Sequence, residues 1–218
     1  RFPQMLDFCY LVNPYFGRSK IIDEMQANFR TLISEYPSGM NVNTLLASKC
    51  WGIKEEYILP GNGAAELIKA LMEILPGSLG IIRPTFEEYP NRLSPEQVVD
   101  YQIKTPQFSY SADDLMTYFE DKKISSLVLV NPDNPTGNYI PYKDCLRLAQ
   151  WCEERNIMFI LDESFIDFSC EHPTFICNEV LEQFGCLVII KSISKSYGVP
   201  GLRLGILASS NVKLMANI

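Results

Sequence analysis

Apolar positions along the chain follow two alternating rhythms. In the first they recur every three or four residues. Ile22, Met25, Phe29 and Leu32 or Ile33 share one side of the stretch 21–35, while Asp23, Glu24 and Arg30 lie largely elsewhere, which predicts an amphipathic helix. Tyr36-Pro37-Ser38-Gly39 ends it, because proline disfavours helical geometry in the residue before it. Further helices are predicted over 44–50, 64–75, 112–119 and 142–155. The second rhythm is the short apolar run, which predicts strands near 57–59, 79–83, 98–103, 127–130, 157–161, 187–191 and 206–209. Helices and strands taken in turn give an α/β fold, a mostly parallel sheet with helices on both faces.

No repeat, low-complexity tract or long linker interrupts the pattern. The expected organisation is an amino-terminal segment and helix over 1–35, followed by one large domain over 36–218. The last stretch, 211–218, reads as a helix just beginning, so a further carboxy-terminal part is expected beyond Ile218.

Composition narrows the picture. The 218 residues, 47% hydrophobic and 21% charged, suit a globular chain whose core needs no disulfide or metal staple. A net charge of −7 has the wrong sign for a surface that neutralises a phosphate backbone, so nucleic acid is not an expected partner. Apolar runs such as 127–130 and 187–190 fall far short of the ~20 residues that span a bilayer, so no membrane anchor is expected. Residue 1 is Arg, with no charged-then-apolar leader after it. Seven scattered cysteines without a C-x-x-C pair fit a reducing, cytoplasmic setting. Cys170, His172 and Cys177, with Asp167 and Glu171, match no standard zinc spacing, and no metal site is expected.

Four clusters lie at or just beyond predicted strand ends, where open α/β sheets bind ligands. Gly61-Asn62-Gly63-Ala64-Ala65-Glu66 opens a helix after a strand. It is either a glycine-rich turn or a place where amides and the helix dipole hold an anion. Asn131-Pro132-Asp133-Asn134-Pro135-Thr136-Gly137 is either a tight connection or a stiff loop presenting Asn134 to a ligand. Asp162, after the apolar run 157–161, either caps the next segment or meets a cationic group. The richest cluster runs from Lys191 to Gly205. A lysine at the rim of a buried site there can become a usable amine nucleophile, while Ser192, Ser194 and Arg203 suit a phosphate. A solvated basic loop would explain the charges but not the hydroxyl spacing or the glycines.

Taken in order, Gly-Asn-Gly-Ala-Ala-Glu, Asn-Pro-Asp-Asn-Pro-Thr-Gly, Asp-Glu-Ser-Phe and Ser-Ile-Ser-Lys with Arg eight residues later resemble the fold type I, pyridoxal-phosphate-dependent class I/II aminotransferases. Nearly the whole chain is covered, and the nearest branch is that of histidinol-phosphate aminotransferase and threonine-phosphate decarboxylase. Asp7-Phe8, Asn13-Pro14 and Gly17 resemble the opening of the decarboxylase branch. The resemblance implies pyridoxal 5′-phosphate as cofactor, joined to Lys195, with Asp162 pairing with its ring nitrogen so that the ring can act as an electron sink. Asn134 is then the donor to the ring 3′-oxygen, and Tyr89 the residue that stacks on the ring. The cofactor phosphate falls to the Ala64 and Ala65 amides, the Ser192 and Ser194 hydroxyls and Arg203. Tyr36 matches a tyrosine that reaches the phosphate of a neighbouring subunit, implying a homodimer. Asn13 and Tyr15 belong to an element that lines the substrate entrance. Lys195, once released, is the general acid/base.

Phe165 stands where many relatives carry a tyrosine that donates to the 3′-oxygen, a substitution shared with the decarboxylase-like branch. The resemblance implies a smaller carboxy-terminal domain, with the arginine that grips the substrate carboxylate, which is expected beyond Ile218. The expected activity is transamination of an amino acid or phosphorylated amino compound, with decarboxylation as the alternative. A non-catalytic domain of the same fold would have no reason to keep Lys195, Asp162, Asn134 and Arg203 in register. A dinucleotide-dependent oxidoreductase would need a glycine fingerprint with an acidic residue about 20 positions on, and no segment supplies both.

Overall fold

The computed structural model of the chain describes residues 4–5, 11–169 and 174–218. The Asp7-Phe8 pair and the Cys170-Glu171-His172 cluster lie outside these residues. The chain begins with three helices, α1 (Ser19–Ala27), α2 (Phe29–Ser34) and α3 (Met40–Trp51). It then runs β1 (Ile58–Asn62), α4 (Ala64–Glu73), β2 (Leu79–Arg83), β3 (Val98–Gln102), α5 (Ala112–Phe119), β4 (Ser126–Val130) and α6 (Tyr142–Glu154). It continues through β5 (Met158–Asp162), α7 (Asn178–Gln183), β6 (Leu187–Ser192), α8 (Ile193–Ser196), β7 (Leu204–Ala208) and α9 (Val212–Met215).

Among the described residues seven strands form one sheet in the order β1-β7-β6-β5-β4-β2-β3. Strands β2 to β6 pair in parallel, whereas β7 runs antiparallel to both β6 and β1. Helix α4 covers one face with Leu67, Ile68 and Leu71, meeting Val128, Ile160 and Val188 of the sheet. Helices α5, α6 and α7 cover the other, where Leu115, Leu148 and Leu181 meet Leu127, Leu129 and Phe159. Successive strand residues point to opposite faces, and both faces here are packed. That is why β4 and β6 are buried at every position and read as unbroken apolar runs. Lys191 is the exception in composition. It is fully buried in β6, with its Nζ 2.9 Å from Asp167 Oδ2 in an ion pair that lacks hydrogen-bond alignment.

The predicted fold class matches the structure, with three local differences. The helix expected over 21–35 is two helices, because Asn28 leaves helical geometry (φ −103°, ψ 8°) and its side-chain amide donates to the Glu24 carbonyl at 2.9 Å. Helices α7 and α8 have no counterparts among the predicted elements; six and four residues give too little periodicity to show. Helix α3 starts four residues before the predicted 44. Among the described residues no helix is long and apolar enough to cross a membrane.

Candidate active site

Strands β1, β4, β5 and β6 all end at one edge of the sheet, and antiparallel β7 begins there, Asn62 pairing with Leu204. Gly63, Asn134, Asp162, Ser192, Lys195 and Arg203 come together at this edge around a cavity of about 130 Å³. They arrive from four separate parts of the chain, brought together by strand order rather than by sequence proximity.

Asp162 is the last residue of β5 and is 2% exposed. Its carboxylate is held from two sides: the Ser164 amide donates to Oδ1 at 2.9 Å and the Tyr89 hydroxyl donates to Oδ2 at 2.7 Å. Ser164 in turn accepts the Ser192 amide at 3.0 Å, tying the end of β5 to the end of β6. Ser192 caps α8 and Lys195 is the third residue of that helix. Residues three apart share a helix face, so both reach the cavity. Lys191 lies on the opposite face of the sheet, which leaves Lys195 as the lysine among the described residues that lines the cavity. Burial pushes the Lys195 amine below its ordinary value of 10.5; Asp162 opposes the shift and Arg203 adds to it. Phe86 and Phe165 flank it, their ring centres 5.7 and 5.1 Å from Nζ.

The opposite end of the cavity is built for an anion. Gly63, Ala64 and Ala65 form the start of α4, where the first amides have no partner within the helix. A Cβ on Gly205 would stand 2.4 Å from the Ala64 nitrogen, so only glycine lets β7 approach this helix start. Gly63 has φ +77°, and a Cβ there would meet Arg203 Nη2 at 2.8 Å. Arg203 itself adopts left-handed geometry (φ 53°), which turns the chain from α8 into β7. The loop bearing Asn134 is braced by Asn131, whose amide donates to the Ile140 carbonyl at 2.9 Å and accepts the Ile140 amide at 2.9 Å.

Two expected placements differ in the structure. Tyr89 does not line the cavity: it is fully buried, its hydroxyl donates to Asp162, and Phe86, three residues earlier, lines the cavity. Ser194 also lies off the cavity, because on a helix it faces away from the side shared by Ser192 and Lys195; its hydroxyl donates to the Leu204 carbonyl at 3.4 Å. Asn13 has both ends of its side-chain amide engaged, Nδ2 donating to the Ser196 carbonyl at 3.0 Å and Oδ1 accepting the Tyr15 amide at 2.9 Å. Asn13 and Tyr15 do line a second cavity of about 530 Å³ that adjoins the first through Asn134 and Phe165. Tyr36, between α2 and α3, is fully exposed and lines neither cavity. Sequence reasoning gave no role to Phe86, three residues before Tyr89, or to Ser164, which lies inside the Asp-Glu-Ser-Phe motif.

A mostly parallel sheet with an amine, a carboxylate and an anion cradle at its strand ends defines a class of α/β scaffold built around one polar cavity. Residues 25–217 match the family described as aminotransferase class I and II, and the chain belongs to that family, whose solved structures include a complex with pyridoxal 5′-phosphate. It is 34% identical to the L-serine phosphate decarboxylase of Campylobacter jejuni over 96% of this chain and 56% of that protein. In fold it resembles the L-threonine-O-3-phosphate decarboxylase of Porphyromonas gingivalis, with TM-score 0.83 and 23% identity over 98% of this chain and 62% of that one. The histidinol-phosphate aminotransferase of Clostridium acetobutylicum is similar in fold to the same degree, with TM-score 0.81 and 24% identity over 97% and 62%. Curated relatives from both branches also match, a histidinol-phosphate aminotransferase at 28% identity and a threonine-phosphate decarboxylase at 29%. The chain spans 33% to 59% of the length of the curated relatives it matches.

Proposed function

We propose that this chain is the cofactor-binding part of a pyridoxal-phosphate enzyme that decarboxylates a phosphorylated amino acid. The observation that carries the cofactor is the convergence of Lys195, Asp162 and the Gly63-Ala64-Ala65 cradle with Arg203 on one cavity. The residues fit the group. The cradle is kept open by glycines where any Cβ would collide, and its donors suit a phosphate dianion. When bound, pyridoxal phosphate supplies a ring that withdraws electrons from the substrate α-carbon.

The chain's own residues divide the remaining work. The start of α4, Ser192 and Arg203 hold the phosphate and fix the orientation of what is attached to it. Asp162, itself fixed by Tyr89 and Ser164, keeps a proton on the ring nitrogen, because a buried carboxylate with two donors stays aimed at a cation. Phe86 and Phe165 exclude water beside the amine. Lys195, its proton affinity lowered by burial, would return a proton to the α-carbon once carbon dioxide has left and its bonding pair stays behind.

Two features favour decarboxylation over transamination, reversing the order favoured by sequence alone. Phe165 offers no hydroxyl beside Lys195, as in the decarboxylase-like branch, and the serine-phosphate decarboxylase relative is 34% identical. Transamination is the second reading, supported by the family assignment, and it asks Lys195 to take a proton off the α-carbon as well as to return one. A homodimer in which Tyr36 reaches the partner's cavity belongs to the same proposal.

The test is a visible spectrum with pyridoxal phosphate before and after borohydride, with mass mapping of the reduced peptide. The expected adduct is on Lys195 and is lost in Lys195→Ala; an adduct elsewhere, or one that survives the substitution, overturns the assignment. Release of carbon dioxide from O-phospho-L-serine by a full-length enzyme supports decarboxylation. A keto acid product with no carbon dioxide supports transamination.

A further inference from the structure

Helix α8 is only four residues long, and so short a helix does not hold itself together in water. The backbone hydrogen bonds that close its carboxy-terminal end measure 3.1 to 3.4 Å. The Tyr197 amide reaches the Ile193 carbonyl at 3.4 Å, the Gly198 amide the Lys195 carbonyl at 3.3 Å and the Val199 amide the Ser194 carbonyl at 3.1 Å. Contacts from the amino-terminal segment to the same turn are shorter. The Asn13 amide donates to the Lys195 carbonyl at 2.8 Å, Asn13 Nδ2 to the Ser196 carbonyl at 3.0 Å and Arg18 Nη1 to the Gly198 carbonyl at 2.7 Å. These carbonyls stand where a helix end leaves acceptors without partners.

Two packing contacts close the junction. Phe16 meets Tyr197 edge to face, with ring centres 5.1 Å apart. Gly198 has φ +61°, and a Cβ there would lie 2.5 Å from the Asn13 carbonyl oxygen, so the two backbones touch. Asn13 is also on the wall of the second cavity, so one residue borders the space beside the amine and holds the helix that carries it.

We propose that residues 13–18 form a clasp on α8, and that Asn13 and Arg18 are positioning residues for Lys195 rather than groups that touch substrate. The clasp replaces the cohesion that α8 lacks and fixes where the Lys195 amine points. This inference rests on Lys195 being the reacting amine, but its test needs no cofactor, so the two stand or fall separately.

The experiment is hydrogen exchange by mass spectrometry on the unloaded chain, together with the rate of Lys195 acetylation at fixed pH mapped by mass. Variants are Asn13→Ala with Arg18→Met, and the single change Asn13→Asp, which keeps the acceptor for Tyr15 and removes the donor to Ser196. In the double variant, exchange over 193–199 is expected to rise roughly tenfold, with faster acetylation of Lys195 and unchanged exchange in β4 and β5. Asn13→Asp gives the same pattern at smaller size and serves if the double variant does not fold. Exchange over 193–199 that matches the parent chain in a folded variant overturns the clasp. So does a rise spread evenly over the sheet, which marks general destabilisation instead.

Discussion

The central strands and the first two helices both carry large apolar side chains, and the fold treats them in opposite ways. Strands β4 and β6 are buried at every position, whereas α1 and α2 bury none. Phe159 is 0% exposed and Phe29 is 61% exposed. Periodicity announces that an element has an apolar face; it does not say what covers that face. The division parallels the proposed function. The amine, the carboxylate and the anion cradle are mounted on strand ends whose neighbours on both faces are present. Tyr15 and Tyr36, the groups assigned to substrate entrance and partner subunit, sit on the open segment, 92% and fully exposed.

The sharpest way to break this contrast is to make one substitution in both regions. Phe159→Ala removes a fully buried ring on the face of β5 that α6 covers, leaving a cavity that the close-packed surroundings fill only in part. The expected loss of stability is about 3–5 kcal/mol by urea titration. A loss below about 1 kcal/mol would mean that the sheet interior is far looser than its burial indicates.

A second effect of the same burial is electrical. Glu163, one residue after Asp162, is 1% exposed, and its carboxyl accepts the Phe175 amide at 2.7 Å. Burial pushes its pKa from 4.5 to about 7, with the Thr174 and Phe175 hydrogen bonds and Lys191 opposing the rise. A carboxyl that holds its proton more tightly in the folded state favours that state below its unfolded pKa and loses the advantage as pH climbs through the folded one. The chain should therefore lose stability between pH 4.5 and about 7, by an amount on the order of 3 kcal/mol. Asp133, pushed up to about 6 by burial, adds to the same slope. Glu163→Gln keeps a hydrogen-bonding amide in place and should flatten the larger part of that slope. A variant with the parent's full slope in urea midpoint against pH would assign the dependence elsewhere.

The same contrast marks how far the sequence could be read. The strand runs were legible because burial on both faces leaves an unbroken apolar signature, and the site motifs because each follows such a run. The antiparallel direction of β7 was not legible, since nothing within 204–208 encodes a partner's direction. That Phe86 rather than Tyr89 lines the cavity, and that Ser194 lies off it, is decided within short turns and a four-residue helix that no periodicity announces. Asn13 was legible as a residue near the site but not in its role, because its partners lie 182 to 183 positions away.

The smallest expected effect belongs to the open region and tests the contrast from its other side. Phe29→Ala removes the same ring as Phe159→Ala, but from a side chain already mostly in water, so little apolar area returns to solvent on unfolding. The loss of stability of the chain at low concentration should stay within about 0.5 kcal/mol, the range of surface substitutions. The helix-forming tendency of alanine pushes slightly the other way. Measuring the urea midpoint at two protein concentrations separates the possibilities. If the parent midpoint rises with concentration and the variant's does not, Phe29 is covered by another copy of the chain, and the exposure of α1 and α2 belongs to the isolated chain alone. If neither midpoint moves and the two chains agree, one aromatic residue carries several kcal/mol in the sheet and almost nothing in α2, and the difference is set by what packs against each.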